Sequence, residues 1–461
     1  MKKDHQAMIA FFLIPLYLLT VLNIFWPNQQ VSADENRTLA QMPSFSWPKL
    51  ASGEWTQEFE NYFSDQFPMR NFFINSNQRL NEMVKLSIGD SVDLVQNPGG
   101  DEQDLGVGEH LEHDPGDLVT LSSQQTDPAS SQTSPASENT QPTAAETNAT
   151  ATPTPESTTA VAPSVDGPVE QVSGVIIVDN RAMELYSFSE SRSQRYVDLV
   201  NKLQTKLPNS QVYDMVAPTS VEFYSPEKYH SLSSSQKNAI QTIYSKMGNG
   251  IKTVDAYSKI VPHWEEYIYF RTDHHWTARG AYYAYQAFSE SAGFTSIAMD
   301  QFQTGTIDGD FLGSLYRYTK STKLKDNPDH VEYFMPLVSS EGVAFTSTDM
   351  TEGYKVQAVR TDISSTNKYL AFIQGDNPLV QFKTSLTNGR KIVVLKESFG
   401  NALVPYLTNH YQEVYVIDPR SLTADLPAFI QSHGIQDVLI INYAFSITNT
   451  KWLDGFEKMI G

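Results

Sequence analysis

The chain has 461 residues, a formal net charge of −20, a pI near 4.9 and no cysteine. An acidic balance of this size argues against nucleic acid or an anionic membrane surface as partner. The absence of cysteine excludes disulfides and thiol catalysis.

Residues 8–26 are almost wholly apolar and match the length of a bilayer core. Lys2 and Lys3 favour an N-terminus held inside, and Trp26 suits the outer interface. Residues 1–30 are therefore expected to be an uncleaved, single-pass signal anchor, with the remaining chain extracellular. A cleaved signal peptide is the alternative, with Val31-Ser32-Ala33 as its weak cleavage site. Residues 31–96 are expected to be a helical segment packing on the main domain. Trp55, Phe59, Tyr62, Phe63 and Phe67 recur there at helical intervals, before a break at Pro68. Residues 97–170 are dense in Ser, Thr, Pro and Ala, so a disordered linker is expected.

From residue 171 to 461 the pattern is α/β. Strand-like runs at 174–178, 211–216 and 250–254 alternate with helical runs at 191–207 and 233–247. A mainly parallel sheet flanked by helices follows, with sites beyond the carboxyl ends of its strands. Thr219, Tyr224, Asp273, His275 and Ser398 all follow such strands. Residues 293–389 read as a β-rich insertion with a strand at 369–373, and 375–378 as a surface turn. Strands at 391–395, 414–417 and 437–443 complete the pattern, with helices at 402–407 and near Leu426.

The chemistry centres on Arg271-Thr272-Asp273-His274-His275-Trp276-Thr277, between an aromatic run and a helix for which Thr277 is a suitable N-cap. Asp273 and His275 are two apart, so in extended backbone they point the same way. A carboxylate that holds an imidazole is half of a nucleophilic triad; a surface turn or a two-histidine metal site are the other readings. Ser398 supplies a hydroxyl at a strand-to-helix turn, where hydrolase folds expose nucleophiles; the alternative is a capping serine. Arg420 either pairs with Asp418 or contacts substrate. Asn442 and Tyr443 are either oxyanion donors or buried structural groups.

Asp273-His274-His275-Trp276, followed by Thr277-Ala278-Arg279-Gly280-Ala281-Tyr282, resembles the DHHW proteins of Gram-positive bacteria. These are similar to the SGNH hydrolase-like domains of the alginate O-acetylation proteins AlgJ and AlgX. The family pattern joins an early Asp-x-His-Trp to a late Gly-Asp-Ser-Phe-like motif. The late motif here is Lys396-Glu397-Ser398-Phe399, with Lys and Glu where Gly and Asp are usual. The resemblance covers residues 35–95 and 172–461. It implies an SGNH hydrolase-like domain with Ser398 as nucleophile, His275 as base and Asp273 as orienter, and no metal or cofactor. His274, Arg420, Asn442, Tyr443 and Tyr224 take lesser binding or oxyanion roles. The implied activity is O-acetylation of a cell-surface or secreted polysaccharide, with a multipass acyltransferase as acetyl supplier. A carbohydrate esterase, or a non-catalytic glycan-binding or assembly protein, are the alternatives.

Overall fold

The structure is a computed structural model that describes residues 28, 31–32, 37–38, 40–51, 54–67, 117–120, 169–172 and 174–461. The expected membrane segment, the helical pattern past residue 67 and most of 97–170 lie outside the described residues. Among the described residues no helix is long and apolar enough to cross a membrane.

Nine strands form the main sheet. In chain order they are β1 (Leu118–Thr120), β2 (Gln211–Ala217), β3 (Ile251–Thr253), β4 (Ser340–Phe345), β5 (Glu352–Val356), β6 (Leu379–Thr384), β7 (Lys391–Lys396), β8 (Glu413–Ile417) and β9 (Asp437–Tyr443). Their spatial order is β1-β5-β4-β6-β8-β7-β9-β2-β3. The run β8-β7-β9-β2-β3 is parallel. The run β1-β5-β4-β6 is antiparallel and joins β8 antiparallel. The sheet is thus mixed rather than mainly parallel. The cause is the β-rich insertion: its strands β4, β5 and β6 extend one edge, while Gln303–Thr306 and Glu332–Met335 pair in a separate two-stranded sheet. Ile392, Val393, Val394 and Leu395 of β7 are fully buried, as a central strand covered on both faces requires.

Helices α1 (Glu190–Lys206), α2 (Gln236–Ser245), α3 (Ala278–Ala292), α4 (Phe399–Leu407), α5 (Leu426–His433) and α6 (Thr450–Ile460) cover the sheet. Strand alternation divides them. Ile441 of β9 faces Gly400 of α4, whereas its neighbour Asn442 faces Tyr196 of α1. Thr277 caps α3 by accepting from the Gly280 N–H. The sequence pattern left α6 unread, although Trp452, Leu453, Phe456, Met459 and Ile460 form its buried face.

Two short pieces of the expected linker belong to sheets. Leu118–Thr120 pairs with β5, and Val169–Val172 pairs with Val175–Val178 in a three-stranded hairpin sheet. In the N-terminal segment, Trp47–Ala51 and Glu54–Asp65 are helical, with Trp55 stacked on Phe59. Residues 369–373 are not a strand: Lys368–Ala371 is a 3-10 turn, capped by the Asn367 side chain accepting from the Tyr369 N–H.

Asp214 of β2 is buried beneath α1, where the Tyr196 hydroxyl donates to it. Burial pushes its carboxyl up to about 7, against a smaller opposite pull from that hydrogen bond. The folded state therefore holds this proton over a range where the unfolded chain has released it. Stability is highest below the unfolded value of about 4 and falls as pH rises towards 7, by at most about 4 kcal/mol. Asp214→Asn should remove that loss. Its melting midpoint relative to wild type should climb between pH 4 and pH 8; a difference independent of pH would contradict the account.

Candidate active site

The sequence places the first half of the site on a hairpin. Tyr269 and Trp276 bridge antiparallel, and residues 270–275 form its tip. Asp329 fixes that tip: its buried carboxylate accepts from the Arg271 and Thr272 N–H groups, the Thr272 hydroxyl and the Tyr267 hydroxyl. Gly313 closes the other side. A Cβ there would lie 2.2 Å from Asp273 Cβ, so only glycine lets the 313–314 backbone come this close. The approach lets the Ser314 N–H donate to Asp273 Oδ2 at 2.8 Å.

Asp273 Oδ1 accepts from the His275 N–H at 2.9 Å and lies 2.6 Å from His275 Nδ1. His275 Nε2 lies 2.7 Å from Ser398 Oγ. With Nδ1–H donated to Asp273, Nε2 is left to accept the serine proton, the tautomer a general base needs. Burial alone would raise the Asp273 carboxyl. The two neighbouring imidazoles and the Ser314 N–H outweigh it and hold the group well below the ordinary range. The three side chains are brought together in one hydrogen-bonded line.

Ser398 follows β7 and precedes α4, and its turn is gripped from several sides. Tyr369 Oη donates to the Ser398 carbonyl at 3.0 Å, and Trp276 Nε1 donates to the Phe399 carbonyl at 3.0 Å. The Tyr369 ring also stacks on His275, centroids 4.0 Å apart. Glu397 accepts from the Phe399 N–H through Oε2 and from the Tyr443 N–H through Oε1. Burial raises its carboxyl to about 7. The Gly400 N–H bonds to the Glu397 carbonyl, while the Ser398 N–H has no partner among the described residues. That amide, at the start of α4, is available to an oxyanion.

The residues that depart from the family's late motif are part of this support. Lys396 is fully buried and pairs with Asp376 at 2.6 Å. Asp376 also pairs with Arg420, which in turn binds Asp418. Residues 375–378 are therefore no surface turn: Asp376 and Asn377 are 3% and 2% exposed. Ile373, Gln374 and Gly375 reach this position through three successive positive φ angles of 45°, 57° and 94°. A β-branched residue in that region is strained, and strain of this kind persists where surrounding contacts over-determine it. Removing one partner from such a buried ion-pair chain costs about 3–5 kcal/mol.

The remaining expected residues separate. His274 lies at the site, its ring 3.8 Å from that of His275. Ser314 Oγ accepts from its backbone N–H and lies 2.6 Å from Nδ1. Burial and the adjacent His275 push this imidazole down to about 3, so it is neutral. Tyr443 forms a wall, stacked on Phe399 at 4.7 Å. Arg420 is committed to Asp418 and Asp376. Asn442 is fully buried on the opposite face, directed away from Ser398. Tyr224 donates to the Trp264 carbonyl and belongs to a different pocket. Sequence reasoning missed Tyr369, Asp329 and Ser314. Nothing local in the sequence marks these three.

Asp273, His274 and His275 also offer ligand-type atoms within 4.8 Å of one another. Asp273 Oδ1 and His275 Nδ1 do not fit one tetrahedral ion together. Two ligands at 2.0–2.1 Å from such an ion stand about 3.3 Å apart, whereas Asp273 Oδ1 and His275 Nδ1 are 2.6 Å apart, a hydrogen-bond distance. Gly313→Ala tests how closely the carboxylate must be placed. The added methyl should displace Asp273 and lower the rate at which an activated ester labels Ser398 by about 100-fold, with the fold retained by circular dichroism; an unchanged rate would show that the Gly313 contact does not position Asp273 for His275.

Comparison with known proteins agrees with this architecture. No curated protein matches the chain. Among solved structures, a DHHW family protein from Eubacterium siraeum matches at 31% identity and TM-score 0.58, over 63% of this chain and 96% of that one. PatB1 of Bacillus cereus, solved with a sulfonyl adduct, matches at 18% identity and TM-score 0.50, over 64% and 99%. The O-acetyltransferase domain of Pseudomonas putida AlgJ matches at 12% identity and TM-score 0.36, over 62% and 98%. The family model described as DHHW protein matches residues 35–417, a span holding both the Asp273–His275 hairpin and Ser398, and the chain belongs to the DHHW family.

Proposed function

We propose that the chain is an O-acetyltransferase acting on a cell-surface or secreted polysaccharide through Ser398, His275 and Asp273. The observation that carries this reading is the 2.7 Å approach of His275 Nε2 to Ser398 Oγ, with Asp273 behind the ring. In the first half-reaction Ser398 Oγ attacks the acetyl carbonyl and its proton passes to His275 Nε2. The Ser398 N–H faces the charge that develops on the carbonyl oxygen. Collapse breaks the bond to the leaving oxygen, which takes the proton from His275, and leaves acetyl-Ser398. In the second half-reaction a glycan hydroxyl gives its proton to His275 and attacks the acetyl carbon. Ser398 Oγ leaves and recovers the proton. Asp273 stays ionised and stabilises the imidazolium in both halves.

In this proposal residues 8–26 anchor the chain in the cytoplasmic membrane with the catalytic domain outside, and a multipass acyltransferase presents the acetyl group. PatB1, which shares the fold, is solved with a sulfonyl adduct, and a sulfonyl fluoride is a suitable probe of Ser398. Transferase and esterase differ only in whether a sugar hydroxyl or water attacks acetyl-Ser398. The test is to acetylate the purified full chain with an activated acetyl ester, add oligosaccharide, and count ester on the glycan against free acetate. The proposal expects glycan ester to exceed acetate, and Ser398→Ala to lower turnover by about 10³-fold or more. Acetate alone at saturating acceptor would establish an esterase. Glycan binding without turnover in the wild-type chain would establish a binding protein.

A further inference from the structure

A second pocket lies on the same rim of the sheet and takes no part in the triad. Its cavity is about 290 Å³ and is lined by Arg181, Arg271, Tyr224, Trp264, Tyr267 and Asn180, among others. Tyr224 follows β2 and Ser398 follows β7, with β9 between them. Two strand spacings, roughly 10 Å, separate β2 from β7.

The two arginines distinguish this pocket. Arg181 Nη1 donates to the carbonyls of Tyr269 and Phe270 at 3.2 and 3.1 Å, and its guanidinium lies 3.9 Å from the Tyr224 ring centroid. The Arg271 guanidinium stands 5.1 Å from the centroid of Tyr267. Neither forms an ion pair with a described residue. The nearby carboxylates are engaged or exposed. Asp329 is used by the hairpin tip, and Glu266 is held by Tyr283, His263 and Arg279. Asp179 and Glu265 stand exposed at the rim. Burial lowers the Arg181 guanidinium from its ordinary value, against smaller opposite pulls from Tyr224 and Asp329. The Ala182 N–H donates to the Arg271 carbonyl at 2.8 Å, which sets the two arginine-bearing segments side by side.

Each tyrosine has an arginine over its ring, so the pocket presents guanidinium N–H donors rather than a bare aromatic platform for a sugar face. Such forks match oxoacid groups. The two rim carboxylates disfavour a dianion. We propose that this pocket binds a monoanionic oxoacid group carried on the polymer acceptor, either a uronate carboxylate or a backbone phosphodiester, while a hydroxyl further along the chain reaches Ser398. This inference rests on the acyl-transfer reading for its acceptor but is tested without it.

The experiment is calorimetric titration of the full chain carrying Ser398→Ala, in which no turnover occurs. The probes are methyl glucuronide, glycerophosphoglycerol and the neutral methyl glucoside. At least one anionic probe should bind, with methyl glucoside much weaker. Tighter binding of glycerophosphoglycerol would assign a phosphodiester, and of methyl glucuronide a uronate; either supports the proposal. Arg271→Gln should weaken the anionic probe by about tenfold or more, and Arg271→Lys should recover only part of it. Arg181→Gln, checked by its melting curve, should act in the same direction. Binding of methyl glucoside as tight as that of both anions, or a folded Arg271→Gln chain with unchanged affinity, would overturn the proposal. Because Ser398 is absent from the measurement, failure here leaves acyl transfer standing, and failure of acyl transfer leaves the anion pocket standing.

Discussion

The contact on which the site depends is the 2.7 Å approach of His275 to Ser398, made between residues 123 apart in sequence. A hydrogen bond this long-range exists only if two independent backbone turns are each held in place. The hairpin tip is held by Asp329 below and by Gly313-Ser314 alongside. The Ser398 turn is held through its carbonyls by Tyr369 and Trp276, and through the Phe399 amide by Glu397. Trp276 and Tyr369 belong to both assemblies: Trp276 is part of the hairpin and bonds the Ser398 turn, while Tyr369 bonds that turn and stacks on His275. These shared residues lock the two turns into one register.

The same arrangement explains an unusual density of buried charge. The side chains of Glu397, Lys396, Asp376, Arg420 and Asp418 lie beneath the Ser398 turn with almost no exposure. Replacing such groups with apolar residues is often neutral or stabilising in other proteins, so stability alone does not account for them. Their geometric effect is definite. Lys396 and Glu397 are consecutive to Ser398, so every bond they make limits the serine's freedom. An apolar pair would fill the same space without fixing the Phe399 and Tyr443 amides.

Much of this was legible in the sequence, and the failures have physical causes. Buried parallel strands such as β7 and β9 are continuous apolar runs, and local pattern locates them well. Ser398 stands at a strand end, whereas Asp273 and His275 lie at the tip of a hairpin closed by a single bridge; the three could be paired by chemistry and family resemblance. Residues 369–373 were misread because an apolar aromatic run of that length fits a strand as well as a buried 3-10 turn. Residues 375–378 read as an exposed turn because Gly-Asp-Asn-Pro is turn chemistry; only tertiary contact with Lys396 and Arg420 shows the turn to be buried. The expectation of a mainly parallel sheet failed for a similar reason. Local periodicity identifies strands in 293–389 but carries no information on which edge they join. Asp329 and Tyr369 act across the fold, and no local signal predicts a partner at that distance.

The central claim is that His275 activates Ser398 as the acyl carrier. The most direct measurement is to quench the full chain during turnover of an activated acetyl ester and map the adduct by mass spectrometry, in wild type and in His275→Ala. The account predicts acetyl on Ser398 in wild type, formed far more slowly without His275. Acetyl on a different residue, or on Ser398 at the same rate in both proteins, would contradict it.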